Sequence, residues 1–396
     1  MMVRCTDESY PPWYRQKRNI SYATSPGSLQ DSYIREAFAL SITKSKGHHP
    51  APARAPPYNN PRIQGNSSSG RSEMKAIRVH EYGGPEVLSY EEVPVPEPGS
   101  GEARVRLSAS GVNFIDVYQR TGTYPMELPF TLGLEGAGEV EAVGEGVEEI
   151  SPGDYVAFTM VQGAYAEYIV APVEKLVPFN VTLVEARMAA AVILQGMTAH
   201  YLTHSTFPVQ AGQKVLVHAA AGGVGLLLCQ LAKMRGAMVI GTVSTEEKAR
   251  LAKGAGADEV ILYTEQDFVE ETKRITGGEG VHVVYDSVGK DTFDGGLDCL
   301  QRRGYMVLFG GSSGQVPPVD LQILNTKGSL FATRPKLADY ITTREELLWR
   351  AESLFTWIGQ NNLDVRIGGT YELADAKLAH QDLEGRKTTG KLILIP

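Results

Sequence analysis

The most chemically informative part of this sequence is a glycine-rich turn that links two apolar stretches. Residues 214–233 read Lys-Val-Leu-Val-His-Ala-Ala-Ala-Gly-Gly-Val-Gly-Leu-Leu-Leu-Cys-Gln-Leu-Ala-Lys. This order predicts a buried strand, a turn and a helix that direct backbone N–H groups and a positive helix end at a pyrophosphate. Because Ala220 replaces the first glycine of the usual fingerprint, a turn without a ligand is the alternative. The candidate phosphate-binding residues are Gly222, Gly223, Val224 and Gly225.

The strand that follows this turn indicates which dinucleotide binds. NAD sites usually place Asp or Glu at the end of that strand, where it accepts from the ribose 2′-OH. Here residues 238–243 end without an acid and are followed by Ser244 and, one helical turn later, Lys248. A hydroxyl and an ammonium group bind a 2′-phosphate, which a carboxylate would repel, so NADPH is favoured over NADH. The alternative is a helix cap at Ser244 and a solvated Lys248.

From Met74 to Pro396 the chain resembles the quinone oxidoreductases of the zeta-crystallin type, in the medium-chain dehydrogenase/reductase superfamily. The resemblance implies the α/β class, with a GroES-like β-domain, a Rossmann domain built on a doubly wound parallel sheet, and an active-site cleft between them. It also implies a homodimer joined edge to edge through the Rossmann sheets, for which residues 316–332 are candidates. The matching phrases lie at residues 111–118 (Gly-Val-Asn-Phe-Ile-Asp-Val-Tyr), 219–225, 285–289 (Tyr-Asp-Ser-Val-Gly) and 333–335 (Thr-Arg-Pro).

Several further residues match cofactor positions of that family. By this resemblance Thr198 and Tyr201 lie beside the nicotinamide, and Tyr263 lies near the adenine. Arg386 matches an arginine that reaches the cofactor from the C-terminal segment. The two residues assigned to the 2′-phosphate match the family positions as well. Core packing for Tyr263 and a solvated side chain for Arg386 are the alternatives.

Residues 113–124 supply the candidates for the acceptor pocket. Asn113 would donate to a carbonyl or position the nicotinamide. Tyr118 and Tyr124 would line the acceptor slot, where either could donate or relay a proton, with structural packing as the alternative for Tyr124. Asp116 is expected to orient its neighbours, and a turn or helix cap is its alternative. No Ser-His-Asp or paired-carboxylate arrangement marks an obvious catalytic acid.

The sequence lacks zinc ligands where the zinc-dependent relatives carry them. Asn113 stands in place of a cysteine ligand, and Gly133-Leu134-Glu135 stands in place of Gly-His-Glu, so Glu135 is expected to be structural. Without a Lewis acid, oxidation of an unactivated alcohol is hard, whereas reduction of an electron-poor quinone or enone by NADPH stays easy. No metal is therefore expected. The three cysteines also occur singly, without metal-site spacing, at Cys5, Cys229 and Cys299.

Changes of pattern divide the chain into elements that position these residues. Residues 1–73 hold eight of the 22 prolines and eleven serines, which predicts disorder and either a transit peptide or a leader without function. Short strands between turns predict the β-domain over residues 74–196 and 336–396. Alternating strands and helices predict the Rossmann domain over residues 197–335. A last apolar run, residues 391–395, would rejoin the first domain.

The sequence leaves three functions open. The first is an NADPH-dependent quinone reductase, the second an NADPH-dependent reductase of enone or alkenal double bonds, and the third a non-enzymatic crystallin-like or AU-rich-RNA-binding protein. Residues 1–73 hold ten of the 38 Lys and Arg and five of the 46 Asp and Glu, which leaves 28 basic against 41 acidic residues. That balance disfavours nucleic acid, and no run of about 18 apolar residues predicts a membrane span. The expected location is the cytoplasm, or a chloroplast or mitochondrion if the leader is a transit peptide.

Overall fold

The computed structural model describes residues 72–396, which form one compact unit. The predicted disordered leader lies outside the described residues, apart from its last two positions. In the described part of the chain, no helix is long and apolar enough to cross a membrane.

Short strands separated by turns build the first part of the fold, as predicted. Strands β2, β1 and β4 form a small antiparallel sheet. A seven-stranded sheet has the order β15-β16-β3-β5-β6-β8, with β7 paired to β3. The strands of these two sheets are β1 (Glu73–Val79), β2 (Leu88–Pro94), β3 (Glu102–Val112), β4 (Phe130–Thr131), β5 (Glu135–Val143), β6 (Tyr155–Thr159), β7 (Tyr168–Pro172), β8 (Val177–Pro178), β15 (Ile367–Glu372) and β16 (Lys391–Ile395).

A six-stranded parallel sheet forms the second part and confirms the predicted doubly wound Rossmann architecture. Its order is β11-β10-β9-β12-β13-β14, so the direction of winding reverses between β9 and β12. Ligands of such folds bind outside the carboxyl ends of the strands at this reversal. Its strands, all paired in parallel, are β9 (Lys214–Val217), β10 (Met238–Val243), β11 (Glu259–Leu262), β12 (Val281–Asp286), β13 (Leu300–Leu308) and β14 (Phe331–Thr333).

Helix α2 joins the two parts, because it packs on β3, β5 and β6 and also on α3. The predicted domain boundary between residues 196 and 197 falls inside this helix. Thr343 caps α8 by accepting from the N–H of Glu346. The α-helices of the described residues are α1 (Phe114–Arg120), α2 (Ala186–Tyr201), α3 (Gly223–Met234), α4 (Glu246–Gly254), α5 (Phe268–Ile275), α6 (Phe293–Asp298), α7 (Gln322–Thr326), α8 (Arg344–Gly359) and α9 (Ala376–Glu384).

The last strand ties the two parts together. Strand β16 pairs antiparallel with β3, with Ile393 opposite Gly111, as the terminal apolar run predicts. Immediately before it, the N–H of Gly390 donates to the carbonyl of Ala221 at 3.1 Å, within the glycine-rich turn. The C-terminal segment therefore contacts both the antiparallel sheet and the predicted dinucleotide turn.

Candidate active site

The glycine-rich turn lies at the carboxyl end of β9, beside the reversal of the Rossmann sheet. Gly222 is the N-cap of α3. A Cβ added to Gly225 would lie 2.2 Å from the carbonyl oxygen of Ala219, so glycine is required for the helix to begin this close to the turn. The first backbone N–H groups of α3 have no partners within the helix and are positioned to bind a phosphate.

Two cations meet beyond the end of β10. The Nζ of Lys248 donates to the backbone oxygen of Arg386 at 2.8 Å. Burial, followed by the positive charge of Arg386, lowers the pKa of Lys248. An anion bound between two like charges relieves their repulsion, so this corner suits a phosphate. The cap of α4 is Thr245, whose Oγ1 accepts from the N–H of Lys248 at 3.3 Å, so the alternative that made Ser244 the cap is wrong.

Tyr263 lies at the same edge of the sheet. It directly follows β11, and its N–H donates to the carbonyl of Val243 at 3.1 Å. Its side chain is 44% exposed, so the alternative of a core tyrosine is wrong. An exposed ring at the end of the third Rossmann strand is available to an adenine, and that assignment stays a prediction.

A cleft of about 720 Å³ lies between α1 and the carboxyl ends of β13 and β14. Tyr118 and Tyr124 line it with their rings edge to face, 5.3 Å between centroids. The Oη of Tyr118 accepts from the N–H of Gly311 at 3.2 Å, which joins α1 to the loop after β13. Burial raises the pKa of Tyr118, so its hydroxyl keeps its proton at neutral pH and can donate to an acceptor oxygen.

Arg334 lines the same cleft, and it was missing from the residues predicted for the site. Its Nη1 donates to the carbonyl of Leu308 at 3.0 Å, so the guanidinium group is held at the cleft wall. In the sequence Arg334 appears only within the Thr-Arg-Pro phrase at residues 333–335, which carries the family resemblance but assigns no role to this residue. Its position directly after the last parallel strand, at the carboxyl edge of the sheet, is the signal that could have identified it.

Asn113 lies in a buried cluster with Glu135 and Lys391. Its Nδ2 donates to Oε2 of Glu135 at 2.6 Å, and the Nζ of Lys391 donates to Oδ1 of Asn113 at 2.7 Å and to Glu135 at 2.5 Å. The N–H of Leu194 donates to the other Glu135 oxygen at 3.2 Å. Burial lowers the pKa of Lys391, and the Glu135 carboxylate opposes that shift. Asn113 thus donates inward here, and its donation to a substrate carbonyl stays a prediction.

Replacing Lys391 by Met should lower the free energy of unfolding by about 3–5 kcal/mol, because Glu135 would stay buried without its cation. The double variant Lys391→Met/Glu135→Gln should recover part of that loss. Chemical denaturation measures both. Lys233→Met removes one partner of a pair with Asp258 whose side chains are 47% and 33% exposed, and it should cost less than about 1 kcal/mol. A loss for Lys391→Met as small as that control would contradict the prediction.

Asp116 closes the first turn of α1, which confirms the helix-cap alternative. Its Oδ2 accepts from the N–H of Asn113 at 2.8 Å and from the hydroxyl of Tyr165 at 3.0 Å. Arginine has only donors, so Arg120 donates to Nδ1 of His380 at 3.0 Å. The proton of the neutral His380 ring is therefore on Nε2, which donates to the hydroxyl of Tyr165 at 3.2 Å. This chain of donors ends on a carboxyl group whose pKa burial raises to about 7.

The raised pKa of Asp116 predicts a pH-dependent stability. The folded protein holds a proton between about pH 4 and pH 7 that the unfolded chain releases, so this contribution is present below pH 4 and is lost as the pH rises to about 7. Asp116→Asn should remove this part of the slope of unfolding free energy against pH, measured by denaturation. Asp294→Asn, at an exposed position, should keep the wild-type slope. Equal slopes for wild type and Asp116→Asn would contradict the assignment.

Thr198 and Tyr201 face into the protein. The Oγ1 of Thr198 donates to the carbonyl of Leu194 at 2.8 Å within α2. The ring of Tyr201 stacks on Tyr340 with 4.2 Å between centroids, and only 1% of the residue is exposed. The structure brings neither side chain into the cleft lined by Tyr118, so their contacts with a nicotinamide stay predictions of the resemblance.

Possible metal ligands are scattered in the described part of the chain. Between residues 72 and 396, no three or more His, Cys, Asp or Glu side chains are grouped as a metal site requires. Cys229 and Cys299 are buried thiols whose pKa burial raises to about 12, and Cys5 lies outside the described residues. The metal-free site stays a prediction.

Two family models match the chain. One is described as an alcohol dehydrogenase GroES-like domain and covers residues 99–181. The other is described as a zinc-binding dehydrogenase and covers residues 223–345. Together with the two-part fold and the glycine-rich turn, they define a medium-chain dehydrogenase/reductase.

Relatives narrow this class. Quinone oxidoreductase 1 of Escherichia coli K12 is 49% identical over 326 residues, 81% of this chain and 99% of the relative. A 2-haloacrylate reductase of a Burkholderia species is 43% identical over 331 residues, 82% of this chain and 99% of the relative. The crystal structure of Escherichia coli quinone oxidoreductase complexed with NADPH matches with a TM-score of 0.80 at 48% identity, over 81% of this chain and all of that one. The chain therefore belongs to the quinone oxidoreductase family.

Proposed function

We propose that this protein is an NADPH-dependent quinone reductase. The observation that carries the proposal lies beyond β10, where an NAD site would present an acid: Lys248 contacts the backbone of Arg386 and senses the positive charge of that residue. A 2′-phosphate is the part of NADPH that NADH lacks, and it is the group that two cations would select. The match to a relative solved with NADPH supports the same assignment.

The residues of the dinucleotide site fit NADPH along its length. Backbone N–H groups of residues 223–225, at the first turn of α3, bind the pyrophosphate, and Gly222 closes the turn by donating its N–H to the carbonyl of Ala219. Lys248, Arg386 and the hydroxyl of Ser244 bind the 2′-phosphate, and Tyr263 flanks the adenine. When bound, NADPH supplies the reducing equivalents through its nicotinamide.

The acceptor binds in the cleft beside α1. The rings of Tyr118 and Tyr124 give a planar quinone an aromatic wall, and their edge-to-face packing fixes the shape of that wall. The hydroxyl of Tyr118 donates to the quinone oxygen on which charge develops. Arg334 adds a positive charge on the wall of the same cleft. Asn113, Thr198 and Tyr201 support the nicotinamide side.

Reduction of a conjugated double bond is the second candidate. The Burkholderia relative carries the name 2-haloacrylate reductase at 43% identity over nearly its full length. An enone or haloacrylate also places charge on a conjugated carbonyl oxygen, so the same tyrosine and arginine would serve. The two functions therefore differ in acceptor shape rather than in cofactor.

An acceptor panel should separate the two. We expect kcat/KM for 1,4-benzoquinone to exceed that for 2-chloroacrylate or 2-cyclohexenone, measured as NADPH oxidation at 340 nm. Tyr118→Phe should lower kcat for the quinone by about a hundredfold with little change in the KM for NADPH, because it removes one donor to the developing charge. Tyr90→Phe, at an exposed position on β2, is the matched control. Turnover of enones without turnover of quinones would reverse the order.

Lys248→Ala should raise the KM for NADPH by about tenfold to a hundredfold and change the KM for NADH less than twofold, because the lost bond is charge-assisted and made only to the 2′-phosphate. Steady-state kinetics with both nucleotides measures it. Lys253→Ala, at an exposed position on the same helix, should change neither value. Equal effects of Lys248→Ala on both nucleotides would remove this residue from the phosphate site.

We propose further that the protein is a homodimer joined through residues 316–332. Strand β14 pairs only with β13 among the described strands, which leaves one edge without a partner. Phe331, on this strand, is 49% exposed, and Leu321, in the same segment of residues 316–332, is 73% exposed. An unpaired edge with exposed apolar side chains favours pairing with a second copy.

Phe331→Lys should convert the dimer to a monomer, because two lysines would face each other across a twofold contact. Size-exclusion chromatography with light scattering gives the mass directly. Tyr90→Lys places the same charge at an exposed strand position away from this edge and should leave the dimer intact. A wild-type protein that runs as a monomer would contradict the proposed assembly.

We propose the remaining partners and the location from features of the sequence. The acidic balance after residue 73 disfavours nucleic acid and an anionic membrane surface as partners, so the proposed partner is a small-molecule quinone or conjugated carbonyl. The proposed location is the cytoplasm, or a chloroplast or mitochondrion if residues 1–73 act as a transit peptide. A fluorescent fusion of that segment reports which.

A further inference from the structure

Gln195, on α2, lies between the buried Asn113 cluster and the glycine-rich turn. Its Nε2 donates to Oδ1 of Asn113 at 3.3 Å. The amide also packs on Gly223, where an added Cβ would lie 1.9 Å from Oε1 of Gln195. That oxygen is shielded from solvent and has no hydrogen-bond partner among the described residues. The residue as a whole is half-buried, and its amide lies against the turn at Gly223.

The charges of Lys391 and Glu135 fix the orientation of the Gln195 amide, and they act through Asn113. Lys391 has only donors, so the oxygen of Asn113 must face it, and the ionised Glu135 has only acceptors, so the nitrogen of Asn113 must face that side. The oxygen of Asn113 then requires a donor from Gln195. Turning the Gln195 amide over would place two acceptor oxygens together. Its free acceptor is therefore held toward Gly223.

A buried acceptor without a donor costs free energy, and a ligand that supplies the donor recovers it. The pyrophosphate cannot do so, because its oxygens are acceptors as well. The 2′-phosphate corner at Lys248 lies beyond β10, whereas Gln195 contacts Asn113 at the start of α1, on the side of the acceptor cleft. The donor that fits is therefore on the other half of the dinucleotide.

We infer that Oε1 of Gln195 accepts a hydrogen bond from the nicotinamide half of NADPH, from either the carboxamide NH₂ or a hydroxyl of the adjoining ribose. This inference rests on the proposed NADPH binding. It makes Gln195 a cofactor-binding residue, and it gives Lys391 and Glu135 the role of positioning residues that act through Asn113. It also accounts for glycine at position 223, where a side chain would displace the amide.

Isothermal titration of NADPH, NADH and adenosine 2′,5′-bisphosphate tests the inference without turnover. Gln195→Met keeps the length of the side chain and removes the acceptor. It should raise Kd about threefold to tenfold for NADPH and for NADH alike. Adenosine 2′,5′-bisphosphate lacks the nicotinamide half, so its Kd should stay within about twofold. Gln230→Met, at a hydrogen-bonded glutamine further along α3, should leave all three constants unchanged.

Each outcome separates the inference from the proposed function. Unchanged NADPH affinity in Gln195→Met would overturn the inference and leave NADPH binding intact. Equal losses for all three ligands would also overturn it, because they would assign Gln195 to the structure of the turn. A wild-type protein without measurable NADPH affinity would instead overturn the proposed function. The 3-acetylpyridine analogue of NADPH, which has no carboxamide NH₂, identifies the donor: equal binding by wild type and variant assigns the carboxamide, and a persisting difference assigns the ribose.

Discussion

The active-site half of this protein depends on a lysine buried against a glutamate. Lys391 and Glu135 are 1% and 0% exposed, a placement that is tolerated only when the remaining donors and acceptors are also satisfied. Asn113 and the N–H of Leu194 meet that requirement. The pair therefore fixes β16, β5, the start of α1 and the middle of α2 at one point, and the position of α1 decides where Tyr118 enters the cleft.

The C-terminal segment extends this constraint to the cofactor side. Gly390 bonds the glycine-rich turn one residue before Lys391 enters the buried cluster, and Arg386 reaches Lys248 a few residues earlier. A displacement of β16 would move the turn, the cation pair and the acceptor cleft together. The C-terminal segment thus connects the cofactor side of the site to the acceptor side, although the residues proposed for the two sides are far apart in sequence.

The fold was largely predictable, because a local pattern specifies each element. Residues 238–243, which the sequence predicts as a strand, form β10 with the same bounds. The site was less predictable, because side-chain partners are long-range. Nothing local shows that Tyr201 stacks on Tyr340, or that Lys391, which resembles any lysine at the start of a terminal strand, is buried. The sequence pattern does not show that the predicted domain boundary falls inside α2, because this helix packs both on the antiparallel sheet and on α3 of the Rossmann part.

Charge is used differently at the two ends of the proposed site. At the 2′-phosphate corner the cations of Lys248 and Arg386 are left for a ligand, so discrimination there comes from a full charge and weakens with salt. Beside the nicotinamide, the charges of Lys391 and Glu135 cancel within the protein, and what reaches the cofactor side is the neutral amide of Gln195. In the proposed acceptor site a neutral quinone would contact the hydroxyl of Tyr118 and the guanidinium group of Arg334, whose attraction grows as negative charge develops on the acceptor oxygen. On this proposal, binding before reduction would depend on shape, and the charge of Arg334 would stabilise mainly the reacting state.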